Sequence, residues 1–334
     1  MARCCPREVV GRMKHVVQNI NVEGYMPHWL HDSTNHWPQS NCYMDLWIEI
    51  LHTLGLNPLA ALAFTVAIDF EGDQWTFFKF PLHDLFLLYG IDVQELNIWH
   101  SLLEQVCEQA SRNRMTLVEV DAFYLPDVSD TNYHQAHEKT TIGIQSIDPE
   151  ARQLGYFHNS GYYTLQGDDF AGIFQQEHAT ALPPYVEFAK LDRVEKFSEA
   201  SLALQGQRLL ADYIKRLPTH NPFHAYSQHF EEQLAALPNL PAYHQYAFAT
   251  LRQYGACFNY TSHFLDWVGN YRGLYMKKAA KHFDAISSRT QTFLLRAARV
   301  VRNKKPLDHA AYFAEIAEHW ELGMQELQPV LHVK

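Results

Sequence analysis

The segment HEKTTIGIQSIDPEARQLGYFHN, residues 137–159, predicts a β-hairpin and gives the first indication of the fold class. Its two arms, residues 139–147 and 153–159, have the β-branched and aromatic composition that favours strands. The residues DPEA between them are typical of a turn. If the two strands pair around this turn, their outer ends meet, and we expect His137 to lie close to Asn159.

Helix and strand patterns alternate in the first half of the chain. Apolar residues at helical spacing predict helices over residues 42–56, 58–68, 81–90 and 92–111. Strand composition predicts further strands over residues 75–80 and 116–125. The N-terminal half of the chain is therefore expected to be an α+β unit.

The C-terminal part of the chain has a different pattern. After residue 188 the sequence is helical in character, with Pro- and Asn-containing breaks at residues 217–223, 237–241 and 303–308. The change predicts two domains, an α+β domain over residues 1–185 and a helical domain over residues 186–334.

Composition excludes several classes of protein. The 334 residues are 47% hydrophobic, which is enough for a large core, and no apolar run reaches the length of a membrane span. A formal net charge of −10 argues against binding to nucleic acid. The charged N-terminus lacks the apolar stretch of a signal peptide, and the five cysteines follow no disulfide or zinc spacing. We expect a cytoplasmic protein with free thiols, no metal site and no membrane association.

Cys42 is the candidate nucleophile. Asn41 is a good N-cap residue before an amphipathic helix, so Cys42 falls in the first helical turn. Unpaired backbone N–H groups and the helix dipole favour a thiolate there and can stabilise an oxyanion. A cysteine nucleophile also needs a histidine base and a group that orients it, and the hairpin supplies His137 and Asn159. The alternative is an inert thiol that serves as a small buried hydrophobe.

Two nearby residues leave the assignment of roles open. His134 lies three residues before His137 and competes with it for the role of base. Asp121, inside an apolar strand, could contact substrate or the loop that carries His137, or it could simply bond to the backbone.

The order of these residues resembles papain-like folds, in which a helix carries the cysteine, a histidine starts one strand and an Asn or Asp ends the next. Within residues 36–175, a narrower resemblance to the N-terminal domain of the butirosin-type acyltransferases rests on VEVDAFYLPD, YHQAHEKTTIGIQSID and LGYFHNSGYYTL. Those enzymes pass an acyl group from a carrier-protein thioester through a cysteine to an amine. The resemblance implies Cys42 as nucleophile, His137 as base and Asn159 as orienting group.

The chain departs from the general papain pattern at one position. Papain-like proteases place an oxyanion-hole glutamine several residues before the cysteine, whereas Gln39 is three residues before Cys42 and His36 takes the more distant place. Gln39 and Asp121 are the candidates for oxyanion or substrate binding. Most of the chain also resembles an uncharacterised bacterial family, a domain of unknown function, through NCYMDLW, DFEGDQWTFFKFP and FATLRQYGACF.

A basic segment near the C-terminus stands out in an acidic protein. Residues 271–305 contain ten Lys or Arg residues and one acidic residue, Asp284. No Gly or Pro interrupts residues 275–304, which predicts one long helix, and six cations fall within roughly a third of its circumference. These are Lys277, Lys278, Lys281, Arg289, Arg296 and Arg299. They form either a solvated face paired with acids of neighbouring helices or a docking face for an acyl carrier protein or its phosphopantetheine arm.

Together these features predict a cysteine-dependent acyltransferase with a Cys–His–Asn site. It would move an acyl or aminoacyl group from a carrier-protein thioester to the amine or hydroxyl of a small-molecule acceptor. No cofactor is expected to be bound, since the phosphopantetheine of the carrier protein serves as the donor arm. Two alternatives stay open: a cysteine amidase or peptidase that releases its product to water, and a non-catalytic carrier-protein-binding protein in which Cys42 is structural.

Overall fold

The computed structural model of the chain describes residues 13–18, 20–175, 182–303 and 307–331. The chain divides into two compact units. The first comprises Met1–His28, Asn41–Gly55 and Tyr89–Glu195, and the second comprises Trp29–Ser40, Leu56–Leu88 and Lys196–Lys334. Each unit is therefore assembled from separate stretches of sequence.

The first unit contains an antiparallel sheet. Its strands are β1 (Lys14–His15), β2 (Asp92–Glu95), β3 (Arg114–Asp121), β4 (Lys139–Asp148), β5 (Gln153–His158), β6 (Gly161–Gln166) and β7 (Val186–Lys190). The strand order is β2-β7-β3-β4-β5-β6, and β1 pairs with β4. The predicted hairpin is confirmed, because β4 and β5 pair from Asp148–Gln153 beside the turn to Gly143–Phe157.

The α-helices of the described chain fall mainly in its C-terminal part. They are α1 (Cys42–Thr53), α2 (Leu82–Tyr89), α3 (Leu102–Ser111), α4 (Asp168–Ile173), α5 (Glu199–Ile214), α6 (Pro222–Ala236), α7 (Leu240–Ala249), α8 (Leu251–Arg272), α9 (Lys277–Asn303) and α10 (Ala310–Leu331). Among the described residues, none of these helices combines the length and apolar character that a membrane span needs.

Helices cover both faces of the sheet in the first unit. On one face α1 packs against β4 at Gly143, where an added Cβ would lie 3.2 Å from Ile50 Cδ1. The absence of a side chain at this position lets the helix approach the strand closely. On the other face, residues of β3, β4 and β5 share a buried cluster with α3 and α4, which contribute Val106 and Phe170.

The described C-terminal part of the chain is helical, with breaks at the predicted positions and two further breaks, at Thr250 and between Arg272 and Lys277. The long helix predicted over residues 275–304 is confirmed as α9, which buries Phe283, Ile286 and Phe293 on one side. Helices α9 and α10 run antiparallel, with the rings of Phe293 and Tyr312 stacked 3.8 Å apart. The chain as a whole thus combines an antiparallel α+β part with a helical C-terminal part, as predicted.

Three predicted elements are wrong in type or extent. Residues 75–80 form no strand, only a single bridge between Phe70 and Trp75. Their aromatic composition instead serves the helical core, because Trp75 is fully buried against Tyr254, with ring centroids 4.8 Å apart. Residues 58–68 form a 3₁₀ helix, Pro58–Ala67, rather than an α-helix.

The helix predicted over residues 92–111 is in fact a strand followed by a shorter helix. Asp92–Glu95 pairs with β7, and α3 begins only at Leu102. The start of α3 is set by a capping box, in which Ser101 and Glu104 each satisfy a backbone N–H of the other. The S-x-x-E pattern of residues 101–104 is the sequence signal for the start of α3.

Candidate functional site

His137 and Asp121 form a hydrogen-bonded pair next to the start of β4. His137 Nδ1 lies 2.6 Å from Asp121 Oδ2. The other oxygen, Asp121 Oδ1, accepts hydrogen bonds from the backbone N–H groups of Phe123, at 3.0 Å, and Glu138, at 3.3 Å. The His137 ring also stacks on Phe123, with centroids 4.5 Å apart and planes inclined by 11°. These contacts hold both the carboxylate and the imidazole in place.

Strand register brings this pair together. Asp121 ends β3 and caps the following 3₁₀ turn, Ala122–Tyr124. It pairs across the sheet with Lys139, the first residue of β4, so a residue just before β4 can reach its carboxylate. The contact between Asp121 and the loop of His137, one of the options that the sequence left open, is therefore present.

The geometry leaves His137 able to act as a base. Its Nδ1 is engaged by Asp121, whereas Nε2 has no hydrogen-bond partner among the residues that the structure describes. The side chain is 70% exposed and lines a depression of about 370 Å³. The same depression is lined by Glu119, Glu138 and Pro184. An imidazole held through Nδ1 presents Nε2 for proton transfer, as general base catalysis requires.

Cys42 is the first residue of α1, as predicted. The Asn41 side chain accepts a hydrogen bond from the backbone N–H of Met44 at 3.0 Å, which makes it the N-cap. The Cys42 thiol is free and half-buried. Within the described part of the chain, no hydrogen bond joins it to His137.

The α1 helix lies on the face of the sheet to which Asp121 belongs. Gly143, which α1 contacts, stands opposite Leu117 in β3, so the two residues share that face. Asp121 is four residues beyond Leu117 in the same strand. Because side chains alternate between the two faces, Asp121 is on the same face as Leu117. The strand pattern thus places α1 and the Asp121 side chain on the same face of the sheet.

A buried carboxylate links the start of α1 to the wall of the depression. Glu187 in β7 accepts hydrogen bonds from Tyr43, at 2.7 Å, and from Tyr185, at 2.9 Å. Burial is the largest cause that raises the pKa of Tyr43, and it raises the pKa of Tyr185 to about 12 with help from Glu187. Both tyrosine hydroxyls therefore keep their protons at neutral pH and donate hydrogen bonds to Glu187. Tyr43 follows Cys42, and Tyr185 follows Pro184 of the depression, so Glu187 anchors both segments.

Asn159 lies in the two-residue turn between β5 and β6, with a left-handed φ of 47°. In the described ranges no hydrogen bond joins it to His137. The outer ends of β4 and β5 do meet, but through Thr140 and His158, whose Oγ1 and Nε2 atoms are 2.8 Å apart. The catalytic role of Asn159 stays a prediction from the family resemblance.

The contact at His158 belongs to a buried network that sequence analysis missed. His158 Nδ1 lies 2.6 Å from Asp127 Oδ2, and both side chains are only 2% exposed. The other Asp127 oxygen accepts from the Tyr156 hydroxyl at 2.6 Å. Burial, and then the charge of Asp127, raises the pKa of Tyr156 well above its usual range. Asp127 follows a proline in a segment of loop-like composition, so its burial had no local signal.

His134, the rival candidate for the base, has a different environment. Its Nε2 lies 3.0 Å from Asp169 Oδ1, near the start of α4. The second Asp169 oxygen accepts from the Tyr133 hydroxyl at 2.9 Å. His134 also has a left-handed φ of 52°, which is uncommon for a residue with a side chain. His134 thus engages a carboxylate through Nε2, whereas His137 engages one through Nδ1.

Gln39, the candidate oxyanion donor, belongs to the second unit. Its backbone carbonyl accepts a hydrogen bond from Arg252 Nη2 at 2.9 Å. The role of its side chain stays a prediction.

The basic face of α9 divides into paired and unpaired cations. Lys278 Nζ lies 3.3 Å from Glu326 and Arg289 Nε lies 2.6 Å from Glu315, both on α10. The other four are exposed and form no salt bridge in the described chain, although the Asp266 carboxylate on α8 interacts electrostatically with two of them, Lys277 and Lys281; the remaining two are Arg296 and Arg299. Arg289 and Arg296 also line a cleft of about 400 Å³ between α9 and α10. Neighbouring acids thus account for only part of the basic face.

The residues described offer no ready metal centre, since no group of three or more His, Cys, Asp or Glu side chains could hold an ion. No curated protein matches the chain. Two family models match most of its length: the DUF1839 N-terminal domain over residues 26–191 and the DUF1839 C-terminal domain over residues 199–329. The chain therefore belongs to the DUF1839 family, which is defined by domains of unknown function.

Proposed function

We propose that this protein is a cysteine acyltransferase with a papain-like arrangement of nucleophile and base, in which His137 activates Cys42. The observation that carries the proposal is the His137–Asp121 pair. It holds Nδ1 of the imidazole and leaves Nε2 without a partner among the described residues, beside a depression that His137 lines. Cys42 is the first residue of α1, and its thiol is free and half-buried.

The reaction would proceed in two half-reactions. His137 Nε2 accepts the Cys42 thiol proton, and the thiolate attacks the carbonyl carbon of the donor thioester. The bond from this carbon to the donor sulfur breaks, and the departing thiolate takes the proton from His137. The acceptor amine or hydroxyl then gives a proton to His137 and attacks the Cys42 thioester. Its collapse releases the product, and the Cys42 thiolate regains the proton.

The negative charge that develops on the carbonyl oxygen needs hydrogen-bond donors. The backbone N–H of Cys42, at the start of α1, is one such donor, and the resemblance to papain-like enzymes adds Gln39 as a candidate. Asp121 keeps His137 in the tautomer with a proton on Nδ1 in this proposal. The resemblance implies Asn159 as the orienting group instead, and the variants Asp121→Asn and Asn159→Ala distinguish the two residues.

The donor is proposed to be a thioester on the phosphopantetheine arm of an acyl carrier protein. Four exposed cations of α9 that form no salt bridge in the described chain support an acidic protein partner, because complementary charge steers such encounters. The acceptor is a small molecule with an amine or hydroxyl group.

The test is acylation of the full chain by an acyl-pantetheine thioester, followed by intact and peptide mass spectrometry. We expect an acyl adduct on Cys42 that Cys42→Ser lacks and that His137→Ala forms on the order of 10²-fold more slowly. His134→Ala is the matched control and should react at the wild-type rate. An unmodified Cys42 in the wild-type protein, or equal rates in the two histidine variants, would refute the proposal.

A hydrolase is the second candidate, since the 70% exposed side chain of His137 gives water access to the base. A cysteine amidase or peptidase would use the same first half-reaction and release the acyl group to water. Adding small amines to the acylated enzyme separates the two. A product that contains the amine identifies transfer, whereas free acid at every amine concentration identifies hydrolysis.

A further inference from the structure

We propose that His282 of α9 and His319 of α10 form a proton-sensitive clasp, closed while the two imidazoles share a proton and opened when both are charged. Their Nδ1 atoms lie 3.0 Å apart, which is hydrogen-bond distance, and both side chains are half-buried. The clasp lies within the helical unit and does not depend on the proposed acyltransferase.

The clasp is one rung of an antiparallel ladder between the two helices. Lys278 pairs with Glu326 on one side of it, and Arg289 pairs with Glu315 on the other. The ladder continues to the stacked rings of Phe293 and Tyr312. These three contacts join opposite charges or two aromatic rings, whereas the histidine contact becomes repulsive when both imidazoles are charged.

The chemistry of imidazole determines when this rung is attractive. A bond between two Nδ1 atoms needs one protonated nitrogen as donor and one lone pair as acceptor. A neutral pair satisfies this, and so does one imidazolium with one neutral ring. Two imidazolium rings have no acceptor, and they bring like charges to within a few ångströms of each other. Only the second proton opens the clasp.

The surroundings of the two histidines disfavour binding of the second proton. Burial is the main cause that lowers the pKa of His319, and the cations Arg289 and His282 lower it further, against the opposing effect of Glu315 and Glu318. A lowered pKa means that the unfolded chain binds more protons than the folded one below the usual value of about 6.5. Stability that the clasp supplies is therefore complete above this pH and is lost as the pH falls.

Other charged groups on the packed helices are already engaged with different partners. On α8, Asp266 interacts with Lys277 and Lys281. On α6, His224 faces Glu321 of α10 at 3.7 Å. The expected result of acidification is thus a local loosening between α9 and α10, while the carboxylate rungs beside the clasp persist until the carboxylates themselves titrate.

Amide hydrogen exchange of the full chain at pH 7.5 and pH 5.5 tests the clasp. Intrinsic amide exchange itself depends on pH, so each variant is compared with wild type at the same pH. Glutamine keeps a hydrogen-bonding side chain but cannot be charged, so His319→Gln is the diagnostic variant. At pH 5.5 we expect peptides of α9 and α10 to exchange roughly 5-fold faster in wild type than in His319→Gln. At pH 7.5 the two proteins should differ little.

His244→Gln replaces an exposed histidine of α7 and should behave as wild type at both pH values. Equal acid-induced exchange in wild type and His319→Gln would overturn the proposal, as would a change spread evenly over all helices of the unit. If His319→Gln does not fold, the imidazole ¹⁵N resonances of wild-type His282 and His319 decide the matter. Coupled two-step titration supports the clasp, and two independent single-step titrations overturn it.

Discussion

His137 Nδ1 and Asp121 Oδ2 lie 2.6 Å apart, where β3 ends beside the start of β4. Two backbone N–H groups hold the other oxygen of Asp121, so the carboxylate cannot turn away without losing three hydrogen bonds. A carboxylate fixed in this way sets the tautomer of the imidazole that it contacts. The pair therefore has the geometry that a general base and its orienting group require.

Replacing Asp121 with asparagine should slow the alkylation of Cys42 without unfolding the protein. The amide oxygen can keep the two backbone contacts, but the amide N–H₂ group would then face Nδ1 and favour the tautomer with its proton on Nε2. That proton blocks Nε2 as a base. The same change in a serine-protease triad lowers the rate by about 10⁴-fold, and we expect a large loss of the same kind. The measurement is the rate of Cys42 alkylation by iodoacetamide at neutral pH.

Asn159→Ala is the matched comparison for this variant. If Asp121 is the orienting group, Asn159→Ala should alkylate at close to the wild-type rate. A slow Asn159→Ala beside a normal Asp121→Asn would restore the Cys–His–Asn assignment and remove Asp121 from the site.

Reversing the unpaired charges of α9 should weaken binding to a carrier protein. Arg296→Glu combined with Arg299→Glu removes two exposed cations that form no salt bridge in the described chain. Two such contacts, each worth roughly 0.5–1 kcal/mol, predict about a tenfold loss of affinity at low salt and a weaker salt dependence. Fluorescence anisotropy with a labelled acyl carrier protein measures the change. Lys215→Glu, on an exposed site outside α9, should bind as wild type, and equal losses in both proteins would argue against a specific dock.

The buried Asp127–His158 pair should contribute strongly to stability. Asp127→Ala leaves His158 Nδ1 and the Tyr156 hydroxyl without their acceptor in a buried site. Breaking a buried pair from one side typically costs about 3–5 kcal/mol of unfolding free energy. Urea unfolding measures the loss, and Asp130→Ala, at an exposed position in the same loop, is the control. A loss below about 1 kcal/mol would show that the network is not an anchor of the β3–β4 connection.

Asp84 in α2 should make the helical unit sensitive to pH in the opposite sense from the histidine clasp. Burial raises the pKa of its carboxyl, although the Tyr213 hydroxyl donates to it at 2.7 Å. A raised pKa favours folding below the usual value of about 3.9, and this contribution is lost as the pH rises through the folded-state pKa. At neutral pH the buried negative charge of Asp84 therefore destabilises the folded protein.

Asp84→Asn keeps an acceptor for Tyr213 and removes the charge, so it should be more stable than wild type at pH 7 and lose this advantage towards pH 4. Urea unfolding at both pH values tests the expectation, with Asp73→Asn at an exposed site as the control. A constant difference between Asp84→Asn and wild type at both pH values would be inconsistent with a titrating Asp84.

Local patterns predicted the elements whose formation depends on neighbouring residues. The alternation around DPEA predicted the hairpin, Asn41 predicted the start of α1, and an uninterrupted helical period predicted α9. They failed at residues 75–80, because aromatic composition suits a helical core as well as a strand. They also failed at residues 92–101, where the capping box of Ser101 was overlooked.

By itself, the sequence determined that a cysteine begins a helix, that a histidine precedes a hairpin strand, and that one long helix carries a basic face. Only the tertiary structure decided that Asp121 holds His137, that Asp127 is buried against His158, and that α10 neutralises two of the cations on α9. These partners come from strand register and from helix packing between residues far apart in the chain. Local periodicity carries no information about such contacts, because it records which side of an element is buried and not what lies against it.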